Sequence, residues 1–268
     1  MRDMLTLTTL LLLAAAGGCA SDGGKDADAK ATTPDGWRTV PLIQDGKVAP
    51  AWKHTGYGTF VVDDGALRTE CDERGLGLLV YTKEKFGNCQ LRVVYRSKDE
   101  RSNAGVYIRI DDGILSRLDE QVPAATRKPD GSLTPEGAKA MEEASDKERG
   151  PWYAVHHGYE VQIADGGDEF HRTGALYSYA KAAAAPQKPR DEWREMLITL
   201  KGTNVSVDLD GKRVTEFDST DTNVPPRKQW HEPRREPKRP TKGYIGLQNH
   251  DPGDVVWFKE VSVRPLAK

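Results

Sequence analysis

Cysteine is scarce in this chain, with three residues in 268, at positions 19, 71 and 89, and no Cys-x-x-Cys pair or Cys/His ligand spacing. A structural zinc site needs such donors at short intervals, so that class is excluded. Charge of one sign is also missing. Lysine and arginine number 39 against 41 aspartate and glutamate, a net charge of −2, and nothing in that balance points to a nucleic-acid partner. The basic stretch from Arg227 to Lys242 is broken by prolines and glutamates and reads as a solvated surface loop rather than an anion-binding patch. Helical periodicity is almost absent, and the one long apolar run lies at the N-terminus.

That run, LTLTTLLLLAAAGG after Arg2, is too short for a comfortable membrane span and ends in small residues, the pattern of an export signal. Ala16-Gly17-Gly18-Cys19 is similar to a bacterial lipoprotein processing site, with Cys19 as the lipidation site, although Ala16 stands where leucine is usual. Ordinary secretion with cleavage nearby is the alternative. Ala20 gives no signal for retention in the inner membrane. The expectation is a cell-envelope protein, facing the periplasm or the cell surface, on the outer membrane, and touching the membrane through its lipid anchor only. Residues 20–36 are small and polar and bury too little surface to offset their ordering entropy, so they read as a flexible tether. Residues 37–268 are then one substantial domain. Export permits a disulfide between Cys71 and Cys89, which as residues of separate strands serve equally well as small hydrophobes.

What the domain has is short strands separated by turn residues. Phe60–Cys71 forms a hairpin around Asp64-Gly65, Leu76–Ser97 gives two strands, and Trp193–Asp218 is a meander with turns near Thr203-Asn204 and Asp210-Gly211. This spacing predicts an all-β, two-sheet antiparallel sandwich. One segment departs from it. Thr134 is a plausible N-cap and Pro135 a first helical residue, which predicts a short helical insertion ending near Gly150-Pro151.

Three strands carry polar chemistry. GYEVQIAD (158–165) sets Glu160 and Gln162 against Val161 and Ile163; AGVYIRI (104–110) sets Tyr107 and Arg109 against Val106, Ile108 and Ile110; GYIGLQNH (243–250) sets Tyr244, Gln248 and His250 against Ile245 and Leu247. If they share a sheet, one face collects an acid, a base, a guanidinium, amides and phenols. The adjacent His156 and His157 look like a metal pair, but as strand neighbours they would face opposite ways.

Read in order, VVDDGALRTE (61–70), LLVYTKEKFGNCQLRVVYR (78–96), SNAGVYIR (102–109), GYEVQIAD, TGALYSY (173–179), EWREMLITLKGTNVSVDLDGKRV (192–214) and KGYIGLQNHDPGDVVWFKEVSVR (242–264) resemble the 3-keto-disaccharide hydrolase family. The resemblance covers essentially the whole domain. It implies a concanavalin A-like jelly roll and, as substrate, a glycoside already oxidised to a ketone at C3. Cys89 where an aromatic is common, the long excursion from Asp111 to His157 and the loop from Val224 to Thr241 depart from the family pattern. The C3 ketone acidifies the C2 hydrogen, so a base can remove it, the C1 substituent can leave and water can add, with net hydrolysis. On this reading Glu160 is the base, Arg109 stabilises the enolate oxygen, and His250 protonates the leaving group. Gln162, Gln248, Asn103 and Tyr177 hold the sugar hydroxyls. A divalent metal ion held by Glu160 and His250 is an alternative electrophile. A non-catalytic carbohydrate-binding lipoprotein is the competing function. A conventional two-carboxylate glycosidase of the laminarinase type is disfavoured, because no E-x-D-x-x-E strand is present.

Overall fold

The computed structural model describes residue 33 and residues 35–266; the expected export signal, Cys19 and most of the expected tether lie outside them. Short pairings come first: β1 (Arg38–Thr39), β2 (Ile43–Gln44) and β3 (Lys47–Val48). There follow β4 (Trp52–Gly56), β5 (Thr59–Asp63), β6 (Ala66–Glu70), β7 (Gly77–Phe86), β8 (Cys89–Ser97) and β9 (Asn103–Ile110). An insertion then carries a 3-10 turn (Asp112–Arg117), α1 (Pro135–Asp146) and α2 (Pro151–His157). β10 (Tyr159–Ala164), the meander β11 (Arg194–Lys201), β12 (Asn204–Leu209) and β13 (Lys212–Asp218), then β14 (Gly243–Asn249) and β15 (Val256–Pro265) complete the chain.

Apart from β2 and β3, which pair only with each other, the strands form two antiparallel sheets, as the spacing predicted. One has the order β13-β12-β11-β8-β15-β6-β5, with β1 also on β15; the other has the order β10-β9-β14-β7-β4. Both Asp-Gly turns place the aspartate and the glycine at positive φ (Asp64 47°, Gly65 73°; Asp210 47°, Gly211 82°), the backbone that joins two twisted strands most tightly. Alternation then does the sorting. Cys89, Leu91, Val93 and Tyr95 of β8 turn inward and meet Val106, Ile108, Val161, Ile163, Ile245 and Leu247 of the smaller sheet in the main core. Cys71 and Cys89 are both free thiols, so the bridge that export would permit is not formed.

The outer face of the smaller sheet is covered in part. Leu78, Val80, Ile110 and Tyr244 pack under the insertion against Ile114, Met141, Trp152 and Val155 in a second apolar cluster. Thr134 caps α1 as predicted, its hydroxyl accepting from the Gly137 amide at 3.0 Å. The insertion does not end as one helix. Gly150 at φ 52° turns the chain and Pro151 opens α2, so His156 and His157 belong to a helix rather than to a strand. His156 is fully buried: Nε2 meets the Ser145 hydroxyl at 3.0 Å and Nδ1 accepts from the Arg234 amide at 3.2 Å. Burial pushes its pKa down to about 3, which makes it a neutral structural link. His157 bridges Asp111 and Glu148 at 3.1 and 3.0 Å.

The Pro/Arg-rich loop is not a free surface loop. Arg239 is buried and donates from Nε to the Gly158 carbonyl at 3.0 Å while lying over Tyr159 and Tyr179. Trp230 packs on Trp152 with ring centroids 5.5 Å apart, and its carbonyl accepts from Ser145 at 3.2 Å. The two long departures from the family pattern therefore meet each other above the smaller sheet.

Candidate active site

β9, β10 and β14 are neighbours, so the three polar strands do share a sheet. Glu160 stands directly opposite Tyr107, and Gln162 opposite Gly105. Opposed residues share a face, and with Val161 and Ile163 committed to the core the carboxylate, amide and phenol turn outward together. The Tyr107 hydroxyl donates to Glu160 Oε2 at 2.8 Å, and the Gln248 amide donates to the Tyr107 oxygen at 3.3 Å. The Gln162 amide, oriented by its partners, donates to Glu160 Oε1 at 3.0 Å. The Gln248 carbonyl oxygen is buried with no protein partner, an acceptor left for a ligand hydroxyl.

These groups line a cavity of about 350 Å³, whose opposite wall is Met141, Trp152 and Trp230 from the two insertions. Burial pushes the Glu160 pKa up to about 7, against the hydrogen bond from Tyr107 and the nearby His250, which both favour the charged form. A carboxylate so placed exchanges a proton near neutrality, which a base acting on carbon requires. Gly105 makes room for it. A Cβ there would lie 2.2 Å from Glu160 Oε1 and 2.7 Å from its Cγ, so any side chain evicts the carboxylate. Gly105→Ala is therefore expected to lower kcat by about 10²-fold through misplacement of Glu160, with the circular-dichroism spectrum unchanged. A variant of wild-type kcat would mean that the position of Glu160 does not matter.

His250 follows β14 and lines the same cavity. It also anchors the following turn, since its Nδ1 meets Asp254 Oδ2 at 3.1 Å and the Asp251 amide donates to the same oxygen at 3.0 Å. Burial alone would lower its pKa, but the Asp254 hydrogen bond and the charges of Asp251, Asp254 and Glu160 outweigh it and hold the imidazole above its ordinary value. Asn103 and Tyr177 also line the cavity. Burial and the nearby Glu160 charge keep Tyr177 well above the usual phenol range, so it is a neutral donor.

Arg109 does not belong to this group. Its φ of 55° is left-handed, and the pairing of β9 with β14 shifts between Tyr244 and Gly246, so a bulge interrupts the alternation there. Ile110 consequently joins Tyr107 on the outer side, while Arg109 is fully buried and donates to the carbonyls of Gly202, Thr203 and Asn204 at 3.1 Å or less. It caps the β11–β12 turn. Tyr107, the donor that holds Glu160, and His231, on the cavity wall, carried no role in the sequence reading.

Glu160 and His250 both reach the cavity, but among the described residues no three His, Cys, Asp or Glu side chains gather as a metal-binding set. The Glu160 oxygens and His250 Nδ1 are also engaged by protein. The pair does not by itself compose a metal site.

Residues 36–264 match the family described as the 3-keto-alpha-glucoside-1,2-lyase-like domain. The chain belongs to that family. The lyase-like domain is similar to solved structures of two candidate glycosyl hydrolases from Parabacteroides distasonis ATCC 8503. One is 23% identical with a TM-score of 0.53 and covers 79% of this chain and 93% of its own. The other is 17% identical with a TM-score of 0.53 and covers 87% and 94%. At these identities the likeness establishes the shared sandwich. No curated protein matches the lyase-like domain. Family membership makes it a glycosyl-hydrolase-like or carbohydrate-binding domain.

Proposed function

We propose that this protein cleaves glycosides bearing a ketone at C3, by elimination across C1 and C2 followed by hydration. The observation that carries the reading is Glu160, a cavity carboxylate with a pKa of about 7, held on both oxygens by neutral donors. Asp251, also on the cavity wall, is ion-paired with Arg127 and is a poor partner for two-carboxylate chemistry.

Glu160 removes the C2 proton, and the C2–H electron pair delocalises into the C3 carbonyl as an enolate. Tyr177 and Asn103 are the neutral donors for that oxygen, in place of the guanidinium that the bulge turns away. The enolate re-forms the ketone as the C1–C2 double bond forms and the C1–O bond breaks, and the His250 imidazolium delivers its proton to the departing oxygen. Water then adds at C1 and gives its proton to the now neutral His250, while protonated Glu160 returns a proton to C2, leaving a free 3-keto-sugar with both groups reset. The family description, a 1,2-lyase acting on an alpha-glucoside, corresponds to the first half of this sequence. The export signal and Cys19 support a site of action in the cell envelope, on a lipid anchor.

The direct test is incubation of the purified protein with a 3-keto-α-disaccharide and, separately, its unoxidised parent. Release of 3-keto-glucose from the oxidised sugar only is the expected result. Binding of both without turnover would overturn the reading in favour of a carbohydrate-binding module.

A further inference from the structure

His157, the last residue of α2, is set between two acids in a way that only one form of its ring satisfies. Nδ1 lies 3.1 Å from Asp111 Oδ2, and Nε2 lies 3.0 Å from Glu148 Oε2. Other donors hold both acids as carboxylates. Asp111 Oδ1 accepts from the Tyr153 hydroxyl at 2.6 Å and from the Gly113 amide at 2.9 Å, and Glu148 Oε1 accepts from Arg234 Nη1 at 2.5 Å. A carboxylate can only accept, and a neutral imidazole carries a single N–H. The two contacts therefore exist together only in the imidazolium. A neutral ring would turn a lone pair towards one carboxylate, and with 11% of the His157 side chain exposed there is little water to intervene.

Charged and titratable groups reach the ring from several elements. Tyr153, one turn earlier in α2, stacks flat on it with centroids 4.0 Å apart, and Arg117 of the 3-10 turn lies over the same phenol. Arg234 comes from the Pro/Arg-rich loop and also donates to the Asp146 carbonyl at 2.8 Å. His156 turns away, to Ser145.

Glu148 is the point of strain. Its φ of 53° is left-handed, at the end of α1 where glycine is usual, and its amide donates to the Ser145 carbonyl at 3.0 Å. Asp111, by contrast, is fixed at the end of β9 and caps the 3-10 turn. The Glu148 corner joins α1, which brings Met141 to the cavity, to α2, which brings Trp152 and Val155; Arg234 lies just beyond Trp230 and His231. One ring thus ties the sheet edge to both parts of the cavity wall.

We propose that the proton on His157 is a latch on that wall. Bound, it clamps the Glu148 corner and the Arg234 loop to the sheet. Released, it leaves the remaining N–H with Asp111 and frees the strained corner, so the wall loosens as pH rises. The latch acts on the wall and not on Glu160, and it holds whatever reaction the cavity supports.

Hydrogen exchange of the full chain, read by mass spectrometry at pH 5.5 and pH 8.5 and corrected for the intrinsic rate, tests the latch beside side-chain nitrogen NMR of His157. In wild type, protection of residues 147–158 and 228–236 is expected to fall about tenfold or more at the higher pH, together with loss of the Nε2 proton and with β9 and β14 unchanged. His157→Gln, which has no ring to titrate, should lack that pH dependence. Equal protection at the two pH values in wild type, the same pH dependence in the variant, or a ring that loses its proton without any change in protection would overturn the proposal. If the variant does not fold, the two wild-type measurements decide it.

Discussion

Replacing Glu160 with glutamine is expected to abolish turnover, by about 10³-fold or more in kcat, while making the protein more stable at neutral and alkaline pH. The loss follows from removing the group assigned to take the C2 proton. The gain follows from the pKa. In the unfolded chain the carboxyl ionises at its ordinary value of 4.5, whereas in the folded protein burial delays this to about 7. Between those values the unfolded state has released the proton and the native state has not, so folding is penalised progressively as pH rises, by up to on the order of 3 kcal/mol above pH 7. An amide carries no such penalty, and the Gln162 side chain can rotate to accept from it. The variant should therefore melt higher than wild type at pH 8 and match it near pH 4. The same ionisation sets the rising limb of the wild-type kcat/KM profile, close to pH 7. The falling limb belongs to His250, whose acid form must be kept and whose pKa is raised, so the profile is a narrow bell. Full activity of Glu160→Gln would remove the base from the mechanism, and a profile flat from pH 5 to 9 would remove both groups.

Arg109→Ala is expected to fail in the opposite way. The guanidinium is fully buried and donates to three consecutive carbonyls of the β11–β12 turn, so its removal leaves those acceptors unpaired inside the protein. At about 1.5–3 kcal/mol for each hydrogen bond to a charged group, and allowing for overlap among them, the loss should reach about 3–5 kcal/mol. A denaturant midpoint measured beside kcat separates the roles. The protein that remains folded should turn over at the wild-type rate. If stability is kept and kcat falls a thousandfold, Arg109 acts on substrate after all.

Why one of these two residues could be read from sequence and the other not comes down to strand regularity. Period-two alternation places Glu160, Gln162, Tyr107 and Gln248 on one face, and where the strands are regular it is right. Val106, Ile108 and Ile110 look like an unbroken alternation too, yet the left-handed turn at Arg109 puts Ile108 and Ile110 on opposite faces. No residue type betrays that bulge, since arginine is not a residue that favours positive φ. α2 is more accessible: Gly150-Pro151 reads as the end of a helix, though proline at a first helical position equally opens one. Trp230 and His231 sit in a charged, proline-rich stretch that resembles solvated surface. The tryptophan was the available sign that part of it packs against something.

The meeting of Trp152 with Trp230, and of Glu148 with Arg234, has a bearing on how such a protein can change. Glu160 and its partners stand on strands whose register the sandwich enforces, whereas Met141, Trp152 and Trp230 reach the cavity from two excursions of the chain that rest on each other. Lengthening, trimming or exchanging those excursions would reshape the cavity without moving the strands that hold Glu160. The excursions form a single heritable unit, however, because either one grafted alone would lose the partner that shields its apolar side from water.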